Sequence, residues 1–176
     1  YFREKQWVFS CFQKCNNFSP APLTNRFQKG TIPINAAAFI KKYGGFDMNI
    51  LAIGNSFSQD ATARLMDLAR QAGRPLAVCN LYIGGCSLEQ HLCNAALNRI
   101  GYDLQENGQS TGRTVSIKEA LSLKRWDWIT MQQASHFSAF YERYQPWAKS
   151  LATYVRYWAP EARLAVHQTW AYQAGS

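Results

Sequence analysis

Acidic side chains are scarce in this chain. Eleven Asp and Glu stand against 19 Lys and Arg in 176 residues, for a formal net charge of +8. Such an excess would suggest nucleic acid if it formed a stripe. It does not: residues 1–47 hold 7 basic and 2 acidic side chains, residues 48–176 hold 12 and 9, and no basic run interleaves with aromatics there. Nucleic acid is therefore not an expected partner. Long apolar runs are missing too. None approaches the ~20 residues of a membrane span, and no secretory signal pattern is present, so no membrane partner and a cytoplasmic location are expected. The five cysteines (Cys11, Cys15, Cys79, Cys86, Cys93) have no metal-ligand spacing. They read as free thiols in a reducing compartment rather than a disulfide framework. Neither a metal nor a cofactor is expected, and the oligomeric state stays open. Histidine occurs only as His91, His136 and His167. There is no internal repeat or low-complexity tract. What is present, 47% hydrophobic and 14% aromatic residues, is enough for one globular domain and no second core.

Residues 1–47 stand apart. Their early aromatics and cysteines (Phe2, Trp7, Phe9, Cys11, Phe12) follow neither a helical nor a strand period. Met48 opens the first apolar run directly. The expectation is a domain over residues 48–176 with Met48 as its native start, residues 1–47 being translated upstream sequence. Gly44-Gly45 is compatible with a ribosome-binding codon pair. A genuine flexible extension is the other reading.

The run Ile50-Leu51-Ala52-Ile53 stops at Gly54-Asn55-Ser56, and an amphipathic helix follows. A buried strand that ends in a glycine turn and feeds a helix holds a side chain at the carboxyl end of a sheet, where open α/β folds bind ligands. The helix start adds unpaired N–H groups and partial positive charge. Ser56 then reads either as a helix cap or as a nucleophile whose own N–H faces a developing oxyanion. A second strand, residues 76–83, runs into Gly84-Gly85-Cys86-Ser87, with Ser87 as N-cap and Gln90 reaching back. Gly84 and Gly85 either allow a tight turn or bring a backbone N–H to the same oxyanion. Cys86 is a rival nucleophile by position, or simply a small buried residue. A third strand, residues 126–133, ends in Gln132-Gln133 and continues into Ala134-Ser135-His136. An amide there is a solvated strand end or a third oxyanion donor.

Elsewhere, residues 60–72 place Ala61, Leu65, Leu68, Ala69 and Ala72 on one helical face that ends at Gly73. Residues 102–107 and 113–116 read as short polar strands around a Gly108–Gly112 turn, an excursion from the sheet. Ser116 and Glu119 form a capping box. Residues 141–158 are helical with Pro146 near the first turns, and residues 163–167 form a further strand that ends at His167.

The combination Gly54-Asn55-Ser56-Phe57-Ser58, Gly84-Gly85-Cys86-Ser87, Gln132-Gln133-Ala134-Ser135 and His167-Gln168-Thr169-Trp170 resembles the SGNH (GDSL-like) hydrolases over about residues 48–176. The resemblance implies a three-layer α/β/α sandwich with a parallel sheet, and an acyl-enzyme on Ser56. Gly85 and Gln133 would be its oxyanion donors; Asn55, Gly84, Gln132, His136 and His167 are further candidates. The family's third block carries Gly-x-Asn where this chain has Gln132-Gln133-Ala134. Its base sits in Asp-x-x-His, and the residues three before the histidines here are Leu88, Gln133 and Leu164. The base is thus expected beyond Ser176, after a last strand, and this chain as a truncated piece. The implied activity is a serine esterase on a small-molecule acyl ester, acetylated carbohydrates included. A non-catalytic binding module with the same fold is the alternative, and a flavodoxin-like nucleotide binder fits the Gly54–Phe57 loop poorly.

Overall fold

A computed structural model describes residues 48–74 and 76–169. The expectations for residues 1–47 lie outside the described residues. The described residues form six strands and five helices. They are β1 (Met48–Gly54), α1 (Ser56–Ala63), α2 (Leu65–Gln71), β2 (Leu76–Tyr82), α3 (Leu88–Ala96), β3 (Tyr102–Glu106), β4 (Gln109–Val115), α4 (Ile117–Leu121), β5 (Trp128–Gln132), α5 (Trp147–Trp158) and β6 (Arg163–His167). The sheet order is β4-β3-β2-β1-β5-β6. The chain adds β2 on one side of β1 and then β5 and β6 on the other, so a topological switch point falls at the carboxyl ends of β1 and β5. That is where Asn55-Ser56 and Gln133 lie.

Strands β2, β1, β5 and β6 are parallel, as their continuous apolar runs dictate: a parallel sheet is covered on both faces. Ile50 packs with Leu65, Ala69, Leu76 and Val78 beneath α1 and α2. Leu51, Ile53, Ile129 and Met131 alternate onto the other face and are also buried. Helices α3, α4 and α5 pack on one another. The three-layer α/β architecture is as expected.

The sheet is mixed rather than wholly parallel, because residues 102–115 are not an excursion. Strand β3 pairs antiparallel with β2 and β4 with β3. The turn is Asn107-Gly108, both at positive φ (51° and 81°), the two-residue hairpin connection whose twist suits paired strands. Gly112, the expected end of the turn, lies inside β4 at φ 71°. A Cβ on Gly108 would stand 2.7 Å from Ala63 Cα, so the hairpin tip sits on the end of α1. Three further differences are local. The helix over residues 60–72 is two helices broken at Arg64; the Ser87 cap accepts from Gln90 N–H without the return bond; and α5 starts after Pro146, with a short 3₁₀ turn at Tyr141–Arg143 before it. Cys79 and Cys86 are free, buried thiols. No described helix is long and apolar enough to cross a membrane.

Candidate active site

The carboxyl ends of β1, β2 and β5 meet on Asn55, which is 1% exposed. Its Oδ1 accepts from Phe57 N–H and caps α1. Its Nδ2 donates to Cys86 O at 3.1 Å and Gln133 O at 3.3 Å. One short amide thus serves the first helix and ties the second and third loops to it. The candidate residues Asn55, Ser56, Gly84, Gly85 and Gln133 all belong to these three junctions.

The N–H groups of the first turn of α1 are allotted in turn. Phe57 N–H goes to Asn55 Oδ1 and Ser58 N–H to Gln132 Oε1 (3.0 Å), while Gln59 N–H makes the first helical bond, to Asn55 O. Ser56 N–H has no acceptor among the described residues, and the Ser56 side chain is exposed. A hydroxyl and a free N–H on one residue, at the positive end of a helix, suit an anionic centre. Gly54 makes this packing possible: a Cβ there would lie 2.3 Å from Ser58 Oγ and 3.0 Å from Gln132 Oε1. Gly85 has φ 64° and open space where a Cβ would be. Its glycine character is a matter of backbone conformation, as the tight-turn reading holds.

The two glutamines are built into the scaffold. Gln133, 2% exposed, accepts through Oε1 from Leu88 N–H and Ala134 N–H and donates through Nε2 to Arg143 O at 2.7 Å. It thereby caps α3 and holds the loop before α5, with one Nε2 hydrogen left over. Gln132 spans from Ser58 N–H to His167 Nδ1 (3.2 Å). Nothing in the sequence pattern pointed to the buried polar row that continues from there. Ser58 Oγ lies 2.8 Å from Asn80 Oδ1, Asn80 Nδ2 donates to Gln105 Oε1, and Gln105 Nε2 donates to Asp103 Oδ2. Its one local signal was Asn80, a polar residue interrupting the otherwise apolar run of β2; Gln105 lies in β3, where Asp103 and Glu106 are polar too.

The histidines separate by environment. His91 is fully buried in α3, with Nδ1 2.9 Å from Tyr102 Oη and 3.4 Å from Cys86 Sγ. Desolvation holds its pKa down at about 3, so it stays neutral. Burial likewise pushes the Cys86 thiol up to about 12, which keeps it from being the thiolate a nucleophile requires. His136 is exposed in a 3₁₀ turn against Phe137. His167 ends β6 beside Gln132, with its pKa lowered by desolvation, and lines a groove of about 390 Å³ with Met48, Ile50, Leu65, Trp128 and Thr130. No described His, Cys, Asp or Glu side chains form a group of three that could hold a metal.

Fold and site together define an α/β protein with a topological switch point after β1 and β5. Residues 49–176 match the family described as "Domain of unknown function (DUF4886)", and the chain belongs to that family. A crystal structure of a DUF4886 family protein from Bacteroides uniformis ATCC 8492 is 40% identical, with a TM-score of 0.67. The match covers 71% of this chain and 51% of that one, so this chain spans about half the length of its relative. A protein named "a putative SGNH hydrolase" from Slackia heliotrinireducens is 25% identical, with a TM-score of 0.47, over 73% of this chain and 59% of that one. No curated protein matches.

Proposed function

We propose that the protein is a serine hydrolase that forms an acyl-enzyme on Ser56 from a small ester. The observation that carries this reading is the allotment of N–H groups at the start of α1: the Asn55 cap and Gln132 consume two donors and leave Ser56 N–H and hydroxyl together at the switch point. In the proposed step Ser56 Oγ attacks the ester carbonyl and loses its proton to a base. The carbonyl oxygen becomes an oxyanion received by Ser56 N–H, Gly85 N–H and the second Nε2 hydrogen of Gln133. Collapse expels the alcohol, and water later releases the acid. Each donor contributes about 3 kcal/mol to lowering the barrier. The base is proposed to come from sequence beyond Ser176.

The second reading, a binding module without turnover, is favoured by one observation: Ser56 Oγ has no hydrogen bond to a histidine among the described residues. Turnover of p-nitrophenyl acetate by the full-length parent separates the two. The hydrolase reading expects turnover that falls by several orders of magnitude in Ser56→Ala. Turnover that survives Ser56→Ala, or ligand binding with none, would sink it. For the 176-residue chain alone the expected result is little or no esterase activity, since an unassisted serine hydroxyl is a poor nucleophile. Rapid Ser56-dependent turnover by that chain would place the base among its three histidines.

A further inference from the structure

We infer that Gln132 is a positioning residue that locks His167 in the tautomer carrying its proton on Nε2. His167 is thereby a fixed hydrogen-bond donor at the carboxyl edge of the sheet, with its Nδ1 unavailable as a proton acceptor for a ligand.

The argument starts from a group that has no choice. Ser58 N–H is a backbone donor in the first turn of α1, and its partner must be an oxygen. It lies 3.0 Å from one end of the Gln132 amide, so that end is Oε1. The other end is therefore Nε2, a donor only, and it faces His167 Nδ1 at 3.2 Å. A ring nitrogen that receives an N–H bears a lone pair, which leaves the proton of the neutral ring on Nε2. The amide has little room to turn over. Gln132 is 1% exposed, and its Oε1 sits in the space that Gly54 leaves by lacking a Cβ. Gln132 and His167 are also register partners across β5 and β6, so the two side chains leave the sheet side by side on one face. Reversing the amide would set Nε2 against Ser58 N–H and leave a buried donor unpaired, which is costly in a buried site.

The Nε2–H has no hydrogen-bond partner among the described residues, and the ring lines the groove. It can offer that N–H to an oxygen acceptor such as a carbonyl. The inference stands apart from the hydrolase reading, and its test reads no turnover.

The test is nitrogen NMR of the 176-residue chain labelled with ¹⁵N-histidine, at alkaline pH where imidazole is neutral. His167→Gln identifies the His167 signals by their loss. Expected is an unprotonated, pyridine-like Nδ1 and a protonated, pyrrole-like Nε2. Gln132→Glu keeps an oxygen for Ser58 N–H but turns the donor facing Nδ1 into an acceptor, so the pattern should invert, with the proton on Nδ1. A role confined to packing would move neither signal. Gln132→Met, which removes donor and acceptor together, serves if the glutamate variant does not fold, and should give signals averaged between the two tautomers. A wild-type proton on Nδ1, an averaged wild-type pattern, or either variant retaining the wild-type pattern would overturn the inference.

Discussion

Asn55 does more than its place in a Gly-Asn-Ser tripeptide reveals. Its cap on Phe57 N–H could be read from sequence, since Asn before a helix start is a preferred cap. Its two bonds to Cys86 O and Gln133 O could not, because those partners lie 31 and 78 residues away. Asn55→Ala removes the cap, worth about 1 kcal/mol, and strips two buried carbonyls of a donor at about 1 kcal/mol or more in all. The expected loss is about 2–3 kcal/mol by urea unfolding of the 176-residue chain; a loss below ~0.5 kcal/mol would mean water replaces the amide. Gly54 is a sharper case. An added methyl would overlap Ser58 Oγ and Cβ at 2.3 and 2.6 Å, and Ser58 is buried and bonded on both sides. Gly54→Ala should therefore displace the start of α1 and lower the melting temperature by several degrees or more. An unchanged melting temperature would show that the turn yields freely.

Helix α4 is the element whose start was most legible. Ser116 Oγ accepts from Glu119 N–H at 3.2 Å, and Glu119 Oε2 accepts from Ser116 N–H at 3.4 Å, the reciprocal pair that the Ser-x-x-Glu spacing predicts. Ser116 is 2% exposed, so Ser116→Ala should cost about 1 kcal/mol, read as a lower denaturant midpoint at unchanged m-value. A shift within ±0.2 kcal/mol would mean that tertiary packing alone holds this five-residue helix. The two strands of the β3–β4 hairpin are legible in the sequence, but their place in the sheet is not. Strand β4 is polar and exposed along six of its seven residues, which suggests a strand standing outside the sheet but is what an edge strand shows to water. The turn is set by the local pair Asn107-Gly108 rather than by the wider Gly108–Gly112 interval. Gln105, buried in β3 and bonded to Asn80, marks the hairpin as part of the sheet.

Taken whole, the molecule carries an acid-sensitive core. His91 is fully buried and its Nε2 has no hydrogen-bond partner among the described residues. Its folded pKa is depressed from 6.5 to about 3 by desolvation. The unfolded chain therefore binds a proton that the folded chain refuses. The stability tied to His91 is complete above pH ~6.5 and is lost as pH falls from there toward about 3, at about 1.4 kcal/mol per pH unit. His91→Gln should flatten the stability profile in that window, even if it lowers stability at neutral pH. A wild-type profile equally steep with and without His91 would show that other groups set the acid limit.

The sequence alone determined the strand–glycine–helix junctions, the parallel core strands, the Ser116 cap and the extent of β6, because periodicity, capping and turn chemistry act between residues a few positions apart. Only the tertiary structure decided which junctions touch, that the polar hairpin joins the sheet, and what the amides do. Gln132 and Gln133 looked alike at the end of β5. Pleat alternation sends them to different partners, Gln132 to Ser58 and His167 and Gln133 to Leu88 and Arg143. Those partners lie up to 74 residues away, and no local pattern encodes which distant donors and acceptors the sheet order will set beside a side chain.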